Sequence, residues 1–228
     1  PEERTTVARF DAKEKPGPLL AGPRPSQLIA ATFRKESADA NGESTLRMWD
    51  LADGTDRRIP LNGKPNAVQL SHDGRMVVVS HGSGEHWCSF FDSISGELMH
   101  EFQTDVEVTE LYFSHDGKRL AGMADWSEFI VLDSQTGERL LTIPTTPVRS
   151  AYLAFSASDD RLLTHSTNAG GSTFQVYDAA TGQQLLSAHH KGSGPARNRF
   201  IPETQQLISC GITGVPIIRD GGPIRDQK

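Results

Sequence analysis

Two polar segments contain the residues that could do chemistry. In residues 81–87, two histidines and a carboxylate fall within six positions, a grouping that could bind a transition metal or contact a ligand through its imidazoles and indole. The second segment, residues 125–126, places an aspartate beside a tryptophan, a frequent anchor in protein interfaces. The candidate partner-binding residues of the two segments are His81, Glu85, His86, Trp87, Asp125 and Trp126.

The histidines have structural interpretations as well. Residues 81–87 fit an exposed Gly-Ser loop in which Trp87 packs at the start of a strand, and we favour this interpretation over a metal site. His189 and His190 are adjacent, so in an extended segment they point to opposite sides and do not share a metal. His72 and His115 occupy the same place in two Ser-His-Asp-Gly phrases, which indicates a turn rather than catalysis.

No set of residues with unlike roles, as catalysis requires, stands out. The sequence has no Gly-rich phosphate loop, no His-Glu-x-x-His and no Gly-x-Ser-x-Gly motif. Four aspartates recur at equivalent places, which favours turn caps over a carboxylate site; they are Asp50, Asp92, Asp133 and Asp178. We therefore predict no catalytic residue, no metal and no cofactor.

Composition narrows the classes of partner. Hydrophobic residues make up 36% of the 228, and 21 Gly and 13 Pro suit short strands joined by many turns. A net charge of −6 argues against nucleic acid, which needs clustered Lys and Arg. No apolar run approaches the roughly 20 residues of a membrane-spanning helix, and no signal peptide is visible. We expect no membrane insertion and slightly favour the cytoplasm. Cys88 and Cys210 fit buried free thiols.

A repeat of about 43 residues must position these candidates. The phrase Asp-x-x-x-Gly follows a β-rich run at Asp50, Asp92, Asp133 and Asp178, and a fifth copy at Asp220 lacks the glycine; successive aspartates are 42, 41, 45 and 42 residues apart. A second marker, at Arg24, Asp73, Asp116, Asp159 and Glu203, recurs at 49, 43, 43 and 44 residues. Two independent markers with one period indicate a repeat protein.

The residue pattern of each repeat predicts four short antiparallel strands, which we label a to d. Runs rich in β-branched and aromatic residues alternate with Gly, Asp, Asn and Ser. The Asp-Gly phrases predict the a–b turns, and the Asp-x-x-x-Gly phrases predict the c–d turns. We expect residues 11–18 and 34–45 to be loops. The sequence therefore predicts an all-β fold of about five four-stranded blades, roughly residues 17–61, 66–102, 109–143, 150–188 and 196–220.

These repeats resemble the WD-repeat family of β-propellers and its looser bacterial relatives. The resemblance rests on Trp49-Asp50, on its degenerate copies before Asp92, Asp133 and Asp178, and on the Asp-Gly turns, and it covers about residues 17–220. It implies a single propeller region with a central channel. The chain departs from the family because the Gly-His pair before strand a is missing and only one repeat keeps the tryptophan.

The resemblance also bears on the second polar segment. Asp125 fits the family's structural aspartate in the b–c loop, which implies a turn hydrogen bond. The family usually has a small or polar residue at the next position, so Trp126 suits an interface as well as it suits ordinary packing. In this fold the b–c and d–a loops share one rim of the ring, where binding is common.

Closure of the ring has two solutions. Residues Thr5–Phe10 form a β-segment that could pair beside Val215–Arg219 as the closing strand of the last blade, because closure removes exposed edges. Alternatively, the five repeats belong to a larger propeller and Thr5–Phe10 ends a preceding blade.

The leading functional hypothesis is a non-catalytic scaffold that binds a protein or peptide on its loop rim. One alternative is a propeller hydrolase or lactonase with a site at the channel mouth, and another is a structural segment of a larger multidomain sensor or envelope protein. The leading hypothesis rests partly on fold analogy, and partly on the absence of an asymmetric polar set and on the aromatic residues in loops. The oligomeric state and the identity of a partner do not follow from the sequence.

Overall fold

The computed structural model describes residues 14–34, 43–82, 84–148, 150–168, 171–190, 197–201, 206–210 and 216–220. All the regular elements in these ranges are β-strands, which confirms the predicted all-β class. These ranges include no helix of the length and apolar character that crossing a membrane requires.

The described strands form five antiparallel sheets in chain order, which we call blades 1 to 5, with strands a to d in each. Blade 1 contains β1 (Glu14–Ala21), β2 (Gln27–Arg34), β3 (Glu43–Asp50) and β4 (Thr55–Leu61). Blade 2 contains β5 (Lys64–Leu70), β6 (Met76–Gly82), β7 (His86–Asp92) and β8 (Leu98–Thr104). Blade 3 contains β9 (Val108–Phe113), β10 (Arg119–Ala124), β11 (Glu128–Asp133) and β12 (Arg139–Pro144).

The last two blades continue the pattern. Blade 4 contains β13 (Ser150–Phe155), β14 (Arg161–Asn168), β15 (Gly171–Asp178) and β16 (Gln184–His190). Blade 5 has three described strands, β17 (Arg197–Ile201), β18 (Gln206–Cys210) and β19 (Pro216–Asp220). The proposed closing strand, Thr5–Phe10, lies outside the described residues, so closure stays a prediction.

Successive blades are held together by apolar cores between their faces. The central core joins Phe90 and Phe102 of blade 2 to Phe113 and Ile130 of blade 3. Burial of each such side chain contributes about 1.5–3 kcal/mol. Similar cores lie between blades 1 and 2 and between blades 3 and 4. The first strands of consecutive blades also lie side by side, so β1, β5, β9 and β13 form the inner wall.

The repeated aspartates are turn caps, as the sequence predicts. In blade 3, Asp133 Oδ1 accepts hydrogen bonds from the backbone N–H groups of Gln135 (2.9 Å) and Thr136 (2.8 Å), and Gly137 N donates to the Asp133 carbonyl (3.0 Å). These bonds favour the ionised carboxylate and hold the pKa of Asp133 below its usual value. Asp92 and Asp178 have the same bonds in their own turns.

Two expectations about loops were wrong. The predicted loop at residues 11–18 overlaps β1, and the predicted loop at 34–45 overlaps the end of β2 and the start of β3. Pairing with β2 extends β1 despite its two prolines, since a register shift between Pro16 and Leu19 absorbs them. This is tertiary context overriding weak local β-propensity. The remaining positions of both segments lie outside the described residues.

The second repeat marker also needs correction in blade 4. Ser71 and Ser114 donate from Oγ to Asp73 and Asp116 at 2.7 Å, whereas Ser156 donates to Asp160 at the same distance. The three turns nevertheless have the same length, because the N–H groups of Gly74, Gly117 and Asp159 each donate to the carbonyl of the serine three residues earlier. Asp159, with a positive φ of 59°, therefore takes the place of the glycine, and Ser158 takes the place of the marker aspartate.

Candidate functional site

The b–c and d–a loops meet at one edge of the sheets, which we call the loop rim. Around blade 3, the Asp125 N–H donates to the Glu107 carbonyl at 3.2 Å. The Val148 N–H donates to the Trp126 carbonyl at 3.1 Å. The b–c turn of blade 3 is therefore held by the d–a loops on both sides of it. The opposite edge, with the a–b and c–d turns, we call the turn rim.

His81 is a buried strand residue and not a loop residue of this rim. It lies in β6, is only 3% exposed, and its Nδ1 is 2.7 Å from the Asn62 carbonyl. Its Nε2 is 2.8 Å from Ser89 Oγ, and that hydroxyl is 3.1 Å from a Glu101 carboxylate oxygen. The prediction of a loop at residues 81–87 was therefore wrong for His81, because cross-strand pairing continues β6 to Gly82.

The His81–Ser89 contact has the form of a base beside a nucleophile but lacks access to a substrate. Ser89 is 2% exposed and lies in the middle of β7. With both ring nitrogens in contact with protein atoms, the imidazole ties strands b, c and d of blade 2 together. Its role is structural, and it does not support a metal or partner site.

The other residues of the first segment are at the rim. Glu85 is exposed in the b–c turn, while His86 and Trp87 are half-buried at the start of β7. His86 Nδ1 is buried and has no hydrogen-bond partner in the described part of the chain. Among the described side chains, no three of the His, Cys, Asp and Glu type are grouped so that they could hold a metal ion.

Asp125 and Trp126 form the tip of the β10–β11 turn. Both have positive φ, 45° and 58°, and the Ser127 N–H closes the turn on the Ala124 carbonyl at 3.0 Å. This is the backbone of a tight hairpin turn that matches the twist of its strands. Trp126 remains 39% exposed, so the turn presents a large apolar ring to solvent. The two segments thus share a rim in adjacent blades.

Three residues of the inner wall were not identified as candidates from the sequence. Tyr112 of β9 and Tyr152 of β13 lie edge to face, with ring centroids 5.1 Å apart and planes at 66°. Tyr112 Oη is 3.3 Å from a carboxylate oxygen of Glu110. Glu110 has φ of 54°, and burial raises its pKa. The available signal was a glutamate at the position that Ala67 and Tyr152 occupy in the neighbouring repeats.

The turn rim carries a groove of about 290 Å³ between blades 2 and 3. The rings of His72 and His115 lie against each other there, with centroids 3.9 Å apart and planes at 30°. Asp159 accepts hydrogen bonds from the backbone N–H groups of His115 (2.8 Å) and Asp116 (2.9 Å). The two histidines are thus parts of a–b turns that join blades, in agreement with their sequence interpretation.

Comparison with known proteins identifies the fold. The β-propeller domain of Cps50 (Swd1) from Myceliophteria thermophila superposes with a TM-score of 0.61 at 14% identity, covering 86% of this chain and 67% of that chain. A chain of a mitotic checkpoint complex gives 0.67 at 15% identity, covering 91% and 63%. The computationally designed Ika4 protein gives 0.53 at 22% identity, covering 70% and 92%.

No family model and no curated protein sequence matches the chain. At these identities the structural neighbours show the fold alone, which is a β-propeller. The chain spans about two thirds of the first two matched chains.

Proposed function

We propose that this protein is a non-catalytic binding module that holds a protein or peptide partner on its loop rim, with Trp126 as the main anchor. The observation that carries the proposal is the exposed Trp126 ring on a turn whose backbone is fixed. Glu85 and the half-buried His86 and Trp87 in blade 2, with Asp125 in blade 3, would supply its polar and apolar surroundings.

The backbone geometry of the turn makes Trp126 suitable as an anchor. The turn is closed by the Ser127 N–H, and its flanks are tied to Glu107 and Val148 of the adjoining loops. Because the backbone is already ordered, binding through the ring would cost little additional conformational entropy. Tryptophan is enriched among residues that dominate binding energy.

Two further observations support a binding module. A chain with net charge −6 does not suit nucleic acid, so a protein or peptide is the more suitable macromolecular partner. One of the structural neighbours is a chain of a mitotic checkpoint complex. A propeller hydrolase would need polar side chains from several blades at the channel mouth, and Glu110 alone among the described inner-wall side chains is acidic.

The test uses peptides selected from a random library against the wild-type protein, with affinities measured by calorimetry. Trp126→Ala should weaken binding by at least about thirtyfold, since a hot-spot truncation costs about 2 kcal/mol or more. Ile94→Ala is the matched control, because Ile94 is an apolar residue, 49% exposed, on the turn rim. Equal affinities for the Trp126→Ala and wild-type proteins, or equal losses in both variants, would overturn the proposal.

A further inference from the structure

A carboxylate and two aromatic rings meet on the inner wall, on a surface unrelated to the loop rim. We call Glu110, Tyr112 and Tyr152 the inner-wall triplet. Glu110 and Tyr112 belong to the inner strand of blade 3, and Tyr152 belongs to that of blade 4. Glu110 and Tyr112 are half-buried, whereas Tyr152 is 37% exposed. The triplet is therefore partly withdrawn from water yet accessible at one side.

The chain uses an irregular backbone to put Glu110 in this place. β9 pairs regularly with β10 at Phe113 and Tyr112, and the register then shifts before Thr109. Glu110 sits within that shift in the left-handed region, which is unfavourable for a residue with a side chain. Its counterparts in the adjacent inner strands, Ala67 and Tyr152, do not have a positive φ.

The facing strand accommodates the irregularity. Gly122 of β10 lies opposite it, and a Cβ added there would be 2.6 Å from Val108 Cγ1 and 3.4 Å from the Thr109 carbonyl oxygen. A larger residue would therefore displace the buried Val108 side chain. A strained conformation that the neighbouring strand specifically accommodates is a reason to look for a function.

The chemistry of the triplet favours a positively charged ligand. The faces of tyrosine rings attract cations through their quadrupoles, and the carboxylate of Glu110 supplies a full charge 3.3 Å from the Tyr112 hydroxyl. Within the described part of the chain, no Lys or Arg forms an ion pair with Glu110; its hydrogen-bond partner there is Tyr112. Burial raises the pKa of Glu110, so a bound cation would be stabilised by, and would itself stabilise, the ionised form.

We propose that the inner-wall triplet binds an organic cation with the size and charge of a lysine ammonium or arginine guanidinium group. Glu110 provides the ion pair, and Tyr112 and Tyr152 provide aromatic contacts. The Tyr112 hydroxyl orients the carboxylate. A peptide side chain and a free small molecule offer the same charged group, so the experiment compares the two head groups on small probes.

The experiment is calorimetric titration of the full chain with N-acetyl-lysine methylamide, N-acetyl-arginine methylamide and the neutral N-acetyl-norleucine methylamide. At least one cationic probe should bind about tenfold or more tightly than norleucine. Glu110→Gln keeps the shape and an acceptor for the Tyr112 hydroxyl, and it should weaken that binding about tenfold. Tyr152→Ala should weaken it severalfold. For the wild type, affinity should be lower at pH 5 than at pH 7.5, because protonation of Glu110 removes its charge.

The matched control is Glu128→Gln, which removes a half-buried carboxylate that is paired with Arg139 at 3.2 Å on β11, outside the inner wall. This variant should bind the cationic probe as the wild type does. Binding of both cations no tighter than norleucine overturns the proposal, as do equal losses in Glu110→Gln and Glu128→Gln. Because Trp126→Ala leaves the inner wall intact, failure here is distinguishable from failure of the loop-rim proposal.

Discussion

Replacing Gly137 with alanine should destabilise the propeller far more than the same change at Gly54. Both glycines end an Asp-x-x-x-Gly turn, and their φ angles are 75° and 76°. A Cβ at Gly137 would lie 2.6 Å from Cγ of Phe102 in the preceding blade, whereas a Cβ at Gly54 would have no atom within 4 Å. The pair therefore separates backbone strain, which is shared, from packing between blades, which is not.

The magnitudes follow from those two contributions. An alanine in the left-handed region costs about 1–2 kcal/mol, and this cost applies to both variants. Overpacking adds about 1–3 kcal/mol where the new methyl group meets a well-packed side chain. Phe102 is 8% exposed and belongs to the core between blades 2 and 3, so it has little freedom to move aside. Gly54→Ala should then lose about 1–2 kcal/mol and Gly137→Ala about 2–5 kcal/mol.

The assay is equilibrium urea unfolding of the two variants and the wild type. The dependence of the unfolding free energy on urea concentration should be the same in all three proteins, so that their stabilities can be compared. A third variant, Phe102→Leu, shortens the side chain that the methyl group would meet. In that background Gly137→Ala should cost about 1–2 kcal/mol less than it does alone. Losses at Gly54 and Gly137 that agree within about 0.5 kcal/mol would refute the packing argument.

Two further predictions concern buried titratable groups. Burial lowers the pKa of His165, so the neutral ring stabilises the fold above pH 6.5 and this stability is lost as the pH falls below that value. Urea unfolding should show that the free energy of unfolding of the wild type falls by at most about 1.4 kcal/mol per pH unit between pH 6.5 and 5. This fall should be smaller in His165→Gln and unchanged in the exposed His189→Gln. Equal dependence of the unfolding free energy on pH in all three proteins would contradict the prediction. Burial raises the pKa of the Cys88 thiol to about 12, so in a Cys210→Ser background Cys88 should react with a disulfide reagent only upon unfolding. Rapid labelling of the native protein at pH 8 would disprove this.

The turns could be predicted from the sequence because their chemistry is local. Asp133 caps backbone groups two and three residues ahead, and Ser114 contacts an aspartate two residues ahead. Such interactions depend on residue type and spacing alone. A periodic set of local turns then fixes the strands between them, and the strands fix the stacking of blades. The four-stranded antiparallel blades follow from this chain of reasoning.

His81 shows where local reasoning ends. Its neighbours Gly82 and Gly84 favour a loop, yet its ring reaches Asn62, 19 residues earlier, and Ser89 on the next strand. Partners so far apart in sequence become neighbours only after the blade has formed. The inner-wall bulge at Glu110 is equally non-local, since it depends on Gly122 in the facing strand. The Trp126 turn was identifiable as a segment, but its positive φ angles were not.

The two rims of the propeller divide two roles of side chains: those on the turn rim join the blades, and those on the b–c turn of blade 3 face solvent. On the turn rim, polar side chains of one blade bind the turns of the next: Arg57 Nη1, His100 Nε2 and Arg119 Nη1 donate to c–d turn carbonyls at 3.2, 2.8 and 3.3 Å. On the loop rim, the b–c turn of blade 3 is bonded to the adjoining loops through backbone atoms, while the side chains of Asp125 and Trp126 are exposed. Side chains there can change without loosening the ring, which is the property that suits a loop surface to binding. This division is the physical reason for placing the partner on the loop rim.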